Sequence, residues 1–254
     1  MSVPRILIVA GSDSGGGAGI QADIKTVTML GGHAMTAVTA VTAQNTLGVQ
    51  AVLPVPADMV VAQMRSCIDD IGVDAVKIGM IGSAETARAV AHVLAGVSAP
   101  VVFDPVMLAT SGAVLADSET IEALWDVMTC ALVTTPNLPE LEALGGLQRL
   151  LESGETVLVK GGHADGSVIT DRLVGPYGEI ARWSNPRIDT ADTHGTGCTL
   201  ASAIASGLGA GLDLPTATEK AIRFVRASLE HAPGLGRGHG PMGQQFATGF
   251  RCPA

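Results

Sequence analysis

Short apolar runs recur along the chain: RILIVA from Arg5, AMTAVTAVT from Ala34, DAVKIG from Asp74, PVVFD from Pro100, ALVTT from Ala131 and TVLVK from Thr156. Several are apolar at consecutive positions, as strands covered on both faces must be. Between them lie longer helix-like segments, expected to begin near Ala18, Ala57, Ala84, Ser118, Pro139, Gly197 and Pro215. In the first, Ile20, Ile24, Val27 and Leu30 recur at helical spacing and form a stripe to lie on a sheet. Strands alternating with helices in this way point to an α/β fold of repeated βα units around a mostly parallel central β-sheet, with helices on both faces. No linker, repeat or low-complexity stretch interrupts the pattern. The expected organisation is therefore a single domain over residues 1–254, with a short flexible tail from about residue 242.

Nearly half the residues are hydrophobic (47%) and only 15% are charged, which is ample material for a core. The formal net charge of −9, with no cluster of Lys and Arg, argues against a nucleic-acid partner. A small anionic ligand remains open, because helix N-termini and one or two local cations bind anions inside acidic proteins. Gly, Gln and charged residues interrupt every apolar stretch before the ~20 residues that a membrane span requires. The N-terminal run has strand length and no small-residue cleavage site, so neither a membrane partner nor a signal peptide is expected. Cys67, Cys130, Cys198 and Cys252 are scattered without metal-ligand spacing, which suggests a reducing, cytoplasmic location.

A parallel sheet binds ligands beyond the carboxyl ends of its strands. After the candidate strands come GSDSGGGAG, AQN, GMIGS, DPVMLATSG, PNLPE and KGGH, a set of glycines and polar residues gathered at one sheet edge. GSDSGGGAGIQAD lacks both the Walker string and a placed dinucleotide fingerprint, leaving a flexible turn or a close approach of backbone to ligand. DTHGTGCTLASAIA is more specific: glycines, a hydroxyl and a thiol precede an Ala-rich helix, a pattern that favours anion binding over plain capping. Cys198, at that helix start, has three readings: a covalent nucleophile, a member of an anion cradle, or a small buried residue. A covalent role wants an oriented base, and His194, the nearby candidate, reads better as a structural hydrogen-bonding residue. Asp104 and Glu140 follow strands and could face one site, where carboxylates near phosphates hold Mg²⁺ through water. Lys160 would bring a cation to the same edge. His163 and His239 read as turn residues, and Met80 and Met107 as core or pocket wall.

Taken together, AGSDSGGGAGIQADIKT, TAVTAQNTLGV, KIGMIGS, DPVMLATSG, TPNLPE, VKGGH, DTHGTGCTLASAIA and GRGHGP closely resemble the hydroxymethylpyrimidine and phosphomethylpyrimidine kinases of thiamine biosynthesis, in the ribokinase-like superfamily. The match keeps its order from about Arg5 to Pro241. The resemblance implies a kinase that uses ATP and Mg²⁺ to phosphorylate 4-amino-5-hydroxymethyl-2-methylpyrimidine and then its monophosphate. It also suggests a homodimer. By match of motif, Gln44 is the principal reader of the pyrimidine, with Asp23, backbone near Gly11, Met80 and Val106 completing its pocket. Lys160, Gly162 and Thr193 match the ATP side, and Asp104 and Glu140 the acidic Mg²⁺ environment. Gly195, Thr196, Gly197 and Cys198 match the cradle for the transferred phosphate, where loss of one backbone donor typically costs ~3 kcal/mol. Many superfamily members carry Asp as general base at the position of Cys198, so this thiol would deprotonate or orient the acceptor hydroxyl.

Two departures stand out. The stretch between Glu140 and Lys160 is shorter than in relatives, which implies a trimmed peripheral helix or loop. Thr110 stands where many relatives have Lys, which puts the second phosphorylation in doubt. The competing readings are a pyridoxal or pyridoxine kinase on the same scaffold, a non-catalytic vitamin or nucleotide binding protein, and a covalent thiol enzyme.

Overall fold

The computed structural model describes residues 3–107, 116–163 and 166–251. In chain order the elements are β1 (Arg5–Asp13), α1 (Gly19–Met29), β2 (His33–Asn45), β3 (Gly48–Pro54), α2 (Ala57–Asp70), β4 (Ala75–Ile78), α3 (Ala84–Leu94) and β5 (Val101–Phe103). They continue with α4 (Ser118–Met128), β6 (Val133–Thr134), α5 (Leu138–Ala143), α6 (Leu147–Glu152), β7 (Val157–Val159), β8 (Val168–Gly175), β9 (Gly178–Pro186), α7 (Thr196–Gly209) and α8 (Leu214–Glu230). The described strands form one sheet in the order β3-β2-β1-β4-β5-β6-β7-β8-β9. From β2 to β7 the neighbours are parallel, while β3, β8 and β9 run antiparallel at the two ends.

Alternation along β1 shows how the layers are divided. Leu7 and Val9 join the core under α2, α3 and α4, whereas Ile6, Ile8 and Ala10 join the core under α1, α7 and α8. Both faces are covered, so these strands read as unbroken apolar runs. Helix starts are fixed by side-chain caps: Ser83 accepts from the N–H of Thr86, Asp117 from Thr120 and Asp213 from Thr216. The three-layer α/β architecture is the one expected.

Two expectations need correction. Ile24 is 38% exposed, because the buried arc of α1 runs through Ile20, Ala22, Asp23, Thr26 and Val27 and leaves Ile24 at its margin. The segment from residue 242 packs down: Met242, Gln244 and Ala247 are buried, and Phe250 meets Phe224 edge to face at 5.6 Å between ring centroids. The short stretch between Glu140 and Lys160 holds a helix, α6, which seats Leu150 in the core.

Candidate active site

Two irregularities in the sheet create the first half of the site. The β1–β2 register shifts between Ala10 and Ser12, and the β2–β3 register shifts between Ala43 and Gln44. Such bulges bend a strand and re-aim its side chains. Beyond the first bulge, the buried carboxylate of Asp13 accepts from the backbone N–H groups of Gly15 (2.8 Å), Gly17 (3.0 Å) and Ala18 (2.8 Å), pinning the glycine turn that leads into α1. Burial works against its charge, but bonds from His194 and these N–H groups outweigh it and hold the carboxyl below its usual range. His194 Nε2 lies 2.9 Å from Asp13 Oδ2, and Gln44 Nε2 lies 3.3 Å from the same ring nitrogen. Gln44 Oε1 is 3.1 Å from Thr42 Oγ1. Glycine at position 11 leaves room for the terminal methyl of Met80, which forms the opposite wall.

The second half is built around the start of α7. Gly195 has φ +87°, and a side chain there would strike the carbonyl of Gly17, so only glycine lets the two turns touch. The missing Cβ of Gly197 would sit 3.1 Å from Asp104 Oδ2 and 3.5 Å from Lys160 Nζ. Helix start, carboxylate and cation therefore converge at one point. Asp104, at the end of β5, receives Lys160 Nζ at 3.1 Å and Thr135 Oγ1 at 3.2 Å. Burial disfavours the Lys160 charge, yet Asp104 and Glu140 raise its pKa overall. Glu140 closes a capping box on α5, accepting from the Asn137 N–H at 2.8 Å while its own N–H donates to Asn137 Oδ1 at 2.9 Å. Burial, aided by Asp104 and opposed by Lys160, pushes the Glu140 carboxyl up to about 7.

A helix N-terminus ordinarily lowers a thiol's pKa, and Cys198 departs from that rule. Burial drives it up to about 12; Asp23 and Asp104 add to the rise, and Lys77 and the Gly19 N–H oppose it. At neutral pH this residue is a thiol and not a thiolate. Beneath it lies a fully buried ion pair, Lys77 Nζ to Asp23 Oδ2 at 2.8 Å, with Ser202 Oγ donating to Asp23 Oδ1 at 2.7 Å. Burial disfavours the Lys77 charge, but Asp23 outweighs it and keeps the ammonium protonated.

Both halves open into one cavity of about 560 Å³. Gln44, Gly11, Met80 and Val106 line it, as do Gly195, Thr196, Gly197 and Cys198. Asp104, Glu140, Lys160, Gly162 and Thr193 also face it. Asp23 is the exception: at 0% exposure it lies under the floor, so it cannot contact a ligand directly and instead neutralises Lys77. His239 Nδ1 is 3.5 Å from Thr193 Oγ1. Thr110 and the side chain of His163 fall outside the described residues, as does Cys252; Cys67, Cys130 and Cys198 are free thiols. Sequence reasoning passed over Asp13, Lys77 and the apolar slot of Ile169, Ile188, Ile222 and Val225 beyond Lys160. Only Asp13 had a local signal, its place at the head of a glycine run.

Among the described residues no group of three or more His, Cys, Asp or Glu is arranged to hold a metal. Two hard carboxylates, Asp104 and Glu140, do face the cavity, and the raised Glu140 pKa marks a spot where added positive charge is favourable. That donor set fits Mg²⁺, which keeps several waters and takes one or two carboxylates together with substrate phosphates. Among the described residues no helix is long and apolar enough to cross a membrane.

Residues 13–243 match the sequence model of the family described as phosphomethylpyrimidine kinase. A hydroxymethylpyrimidine/phosphomethylpyrimidine kinase of Streptomyces coelicolor is 45% identical over 97% of this chain and 96% of its own. A thiamine biosynthesis multifunctional protein of Corynebacterium efficiens is 43% identical over 94% of this chain, which spans 35% of that longer protein. Among solved structures, the pyridoxal kinase of Staphylococcus aureus in complex with pyridoxal superimposes with a TM-score of 0.87 at 28% identity, over 97% of this chain and 95% of that one. A phosphomethylpyrimidine kinase of Clostridium difficile gives 0.75 at 35% identity, over 89% and 98%.

Proposed function

Since the chain belongs to the phosphomethylpyrimidine kinase family, we infer that it is an ATP-dependent phosphotransferase of thiamine biosynthesis. It phosphorylates 4-amino-5-hydroxymethyl-2-methylpyrimidine and then the resulting monophosphate. One observation carries this reading at the level of residues: a single cavity joins an amide, Gln44, to a phosphate end made of the α7 N-terminus, Asp104 and Lys160. The amide offers a donor and an acceptor, the pair an aminopyrimidine edge requires. N–H groups of the first turn of α7, with Lys160, would stabilise charge on the phosphoryl group as it moves. Asp104 and Glu140 would hold Mg²⁺, whose contribution when bound is to neutralise phosphate charge. Phosphoryl transfer passes through a loose transition state that asks mainly for positioning and charge stabilisation. Cys198, as a neutral thiol, therefore orients the acceptor hydroxyl and does not serve as its base.

The likeness to a pyridoxal-bound kinase supports pyridoxal as a second acceptor. Assays of hydroxymethylpyrimidine, its monophosphate and pyridoxal side by side, with ATP and Mg²⁺, separate the readings. We expect kcat/KM for hydroxymethylpyrimidine to exceed that for pyridoxal by about tenfold or more, the discrimination that one or two directed hydrogen bonds supply. Gln44→Ala should raise the pyrimidine KM about tenfold and leave the ATP KM within about twofold. Equal loss of both affinities would overturn the assignment. A homodimer is also part of this reading, supported by the exposed apolar pair that Val41 and Leu53 form across β2 and β3.

A further inference from the structure

The Gln44 amide touches two polar neighbours, and their chemistry constrains which way round it sits. Asp13 Oδ2 accepts from the Gly17 and Ala18 N–H groups, and Oδ1 from Gly15, so this carboxylate acts only as an acceptor. His194 Nε2, 2.9 Å from Oδ2, must then carry a hydrogen. Gln44 places a terminal amide atom 3.3 Å from that same Nε2. Were this atom nitrogen, two donors would face each other. Turned by half a rotation, the amide oxygen accepts from His194, and its NH₂ group faces Thr42 Oγ1 at 3.1 Å. Thr42 Oγ1 already donates to the Ser12 carbonyl at 2.9 Å and has lone pairs free to accept. Only this orientation leaves no donor facing a donor, the Nε2–H being shared between Asp13 Oδ2 and the amide oxygen, and amide orientation is a matter that such networks decide.

We propose that His194, held by Asp13, is the positioning residue that locks the Gln44 amide with oxygen toward the imidazole and nitrogen toward Thr42, and thereby decides which edge of the acceptor ring is read. The proposal rests on Gln44 being the acceptor reader. So locked, the amide offers the cavity one N–H on the Thr42 side and one oxygen lone pair on the His194 side. An aminopyrimidine enters with its ring nitrogen at the first and its exocyclic amino group at the second. A ring that lacks this donor and acceptor in this order forfeits a hydrogen bond. An amide free to turn would read both orders.

Two measurements test it. In ¹³C,¹⁵N-labelled wild-type protein, long-range ¹H–¹⁵N spectra at pH 8, with His194 assigned through backbone-to-ring correlations, should show Nε2 protonated. A neutral ring protonated only at Nδ1 overturns the proposal, and this measurement stands even if a variant fails to fold. In kinetics, His194→Leu should raise the hydroxymethylpyrimidine KM about tenfold, with kcat and the ATP KM within about twofold. His194→Gln carries an N–H to a similar place and should stay within about threefold of wild type. Equal loss in both variants, or loss confined to kcat or to ATP, would mean that the ring only packs against Gly17. If Gln44→Ala leaves the pyrimidine KM unchanged, the reading of Gln44 fails, whereas the protonation state of Nε2 still decides how the amide is held.

Discussion

Cys198 occupies a position where two opposing effects meet. The α7 dipole and the Lys77 charge favour a thiolate, and removal from water disfavours it; the second wins, to about 12. Well below that value the thiolate fraction is under about a thousandth, and each lower pH unit cuts it tenfold. Cys198 should therefore resist iodoacetamide at pH 7.5, which peptide mass spectrometry would read, and its reaction should accelerate as pH rises toward 10. Rapid labelling at pH 7.5 would restore the thiolate readings. Cys198→Ser should lower kcat more than it changes either KM, because a hydroxyl can replace a neutral orienting group but differs in size and reach. Individual residues were unevenly legible from sequence. Lys160 and Asp104 follow strands directly and were found by that rule, and Gln44, inside β2, by the family resemblance, whereas Asp23 was misplaced because nothing local tells that Lys77, far along the chain, neutralises it beneath the cavity floor.

Among the elements, α5 shows how a short helix can carry chemistry. It runs only from Leu138 to Ala143, so its first turn depends on the reciprocal bonds of Asn137 and Glu140. Asn137→Ala should cost about 1 kcal/mol of stability in urea unfolding. It should also raise the Mg²⁺ concentration for half-maximal activity, because without the Asn137 Oδ1 cap the first turn of α5 frays and no longer keeps the backbone N–H of position 137 against the Glu140 carboxylate. A stability loss with no change in Mg²⁺ dependence would detach Glu140 from the metal. Helix starts and inner strands were plain in the sequence, since burial on two faces writes continuous apolar runs and caps mark the starts. The antiparallel strands β3, β8 and β9 were not, because solvent on one side permits charged and polar residues such as Arg172, Glu179 and Arg182. The bulges beside Gly11 and Gln44 were equally hidden, being defined only against a neighbouring strand.

At the scale of the whole molecule, β3 ends the sheet with Leu53 at 68% exposure, directly paired across from Val41. An apolar pair at a sheet edge is a liability unless covered. Light scattering should find a dimer in solution, and Leu53→Lys should shift it toward monomer by placing a charge in the covered face. A wild-type monomer at micromolar concentration would remove the dimer from the reading. The order of the sheet has another outcome. Of the residues read as meeting the acceptor, Gly11, Gln44 and Met80 sit on or just after strands of one flank, while Lys160 and Gly162 follow β7 toward the other. On that reading, most changes that recruit a new alcohol would fall in the opening third of the gene, while the fuel-burning end of the enzyme is inherited unaltered.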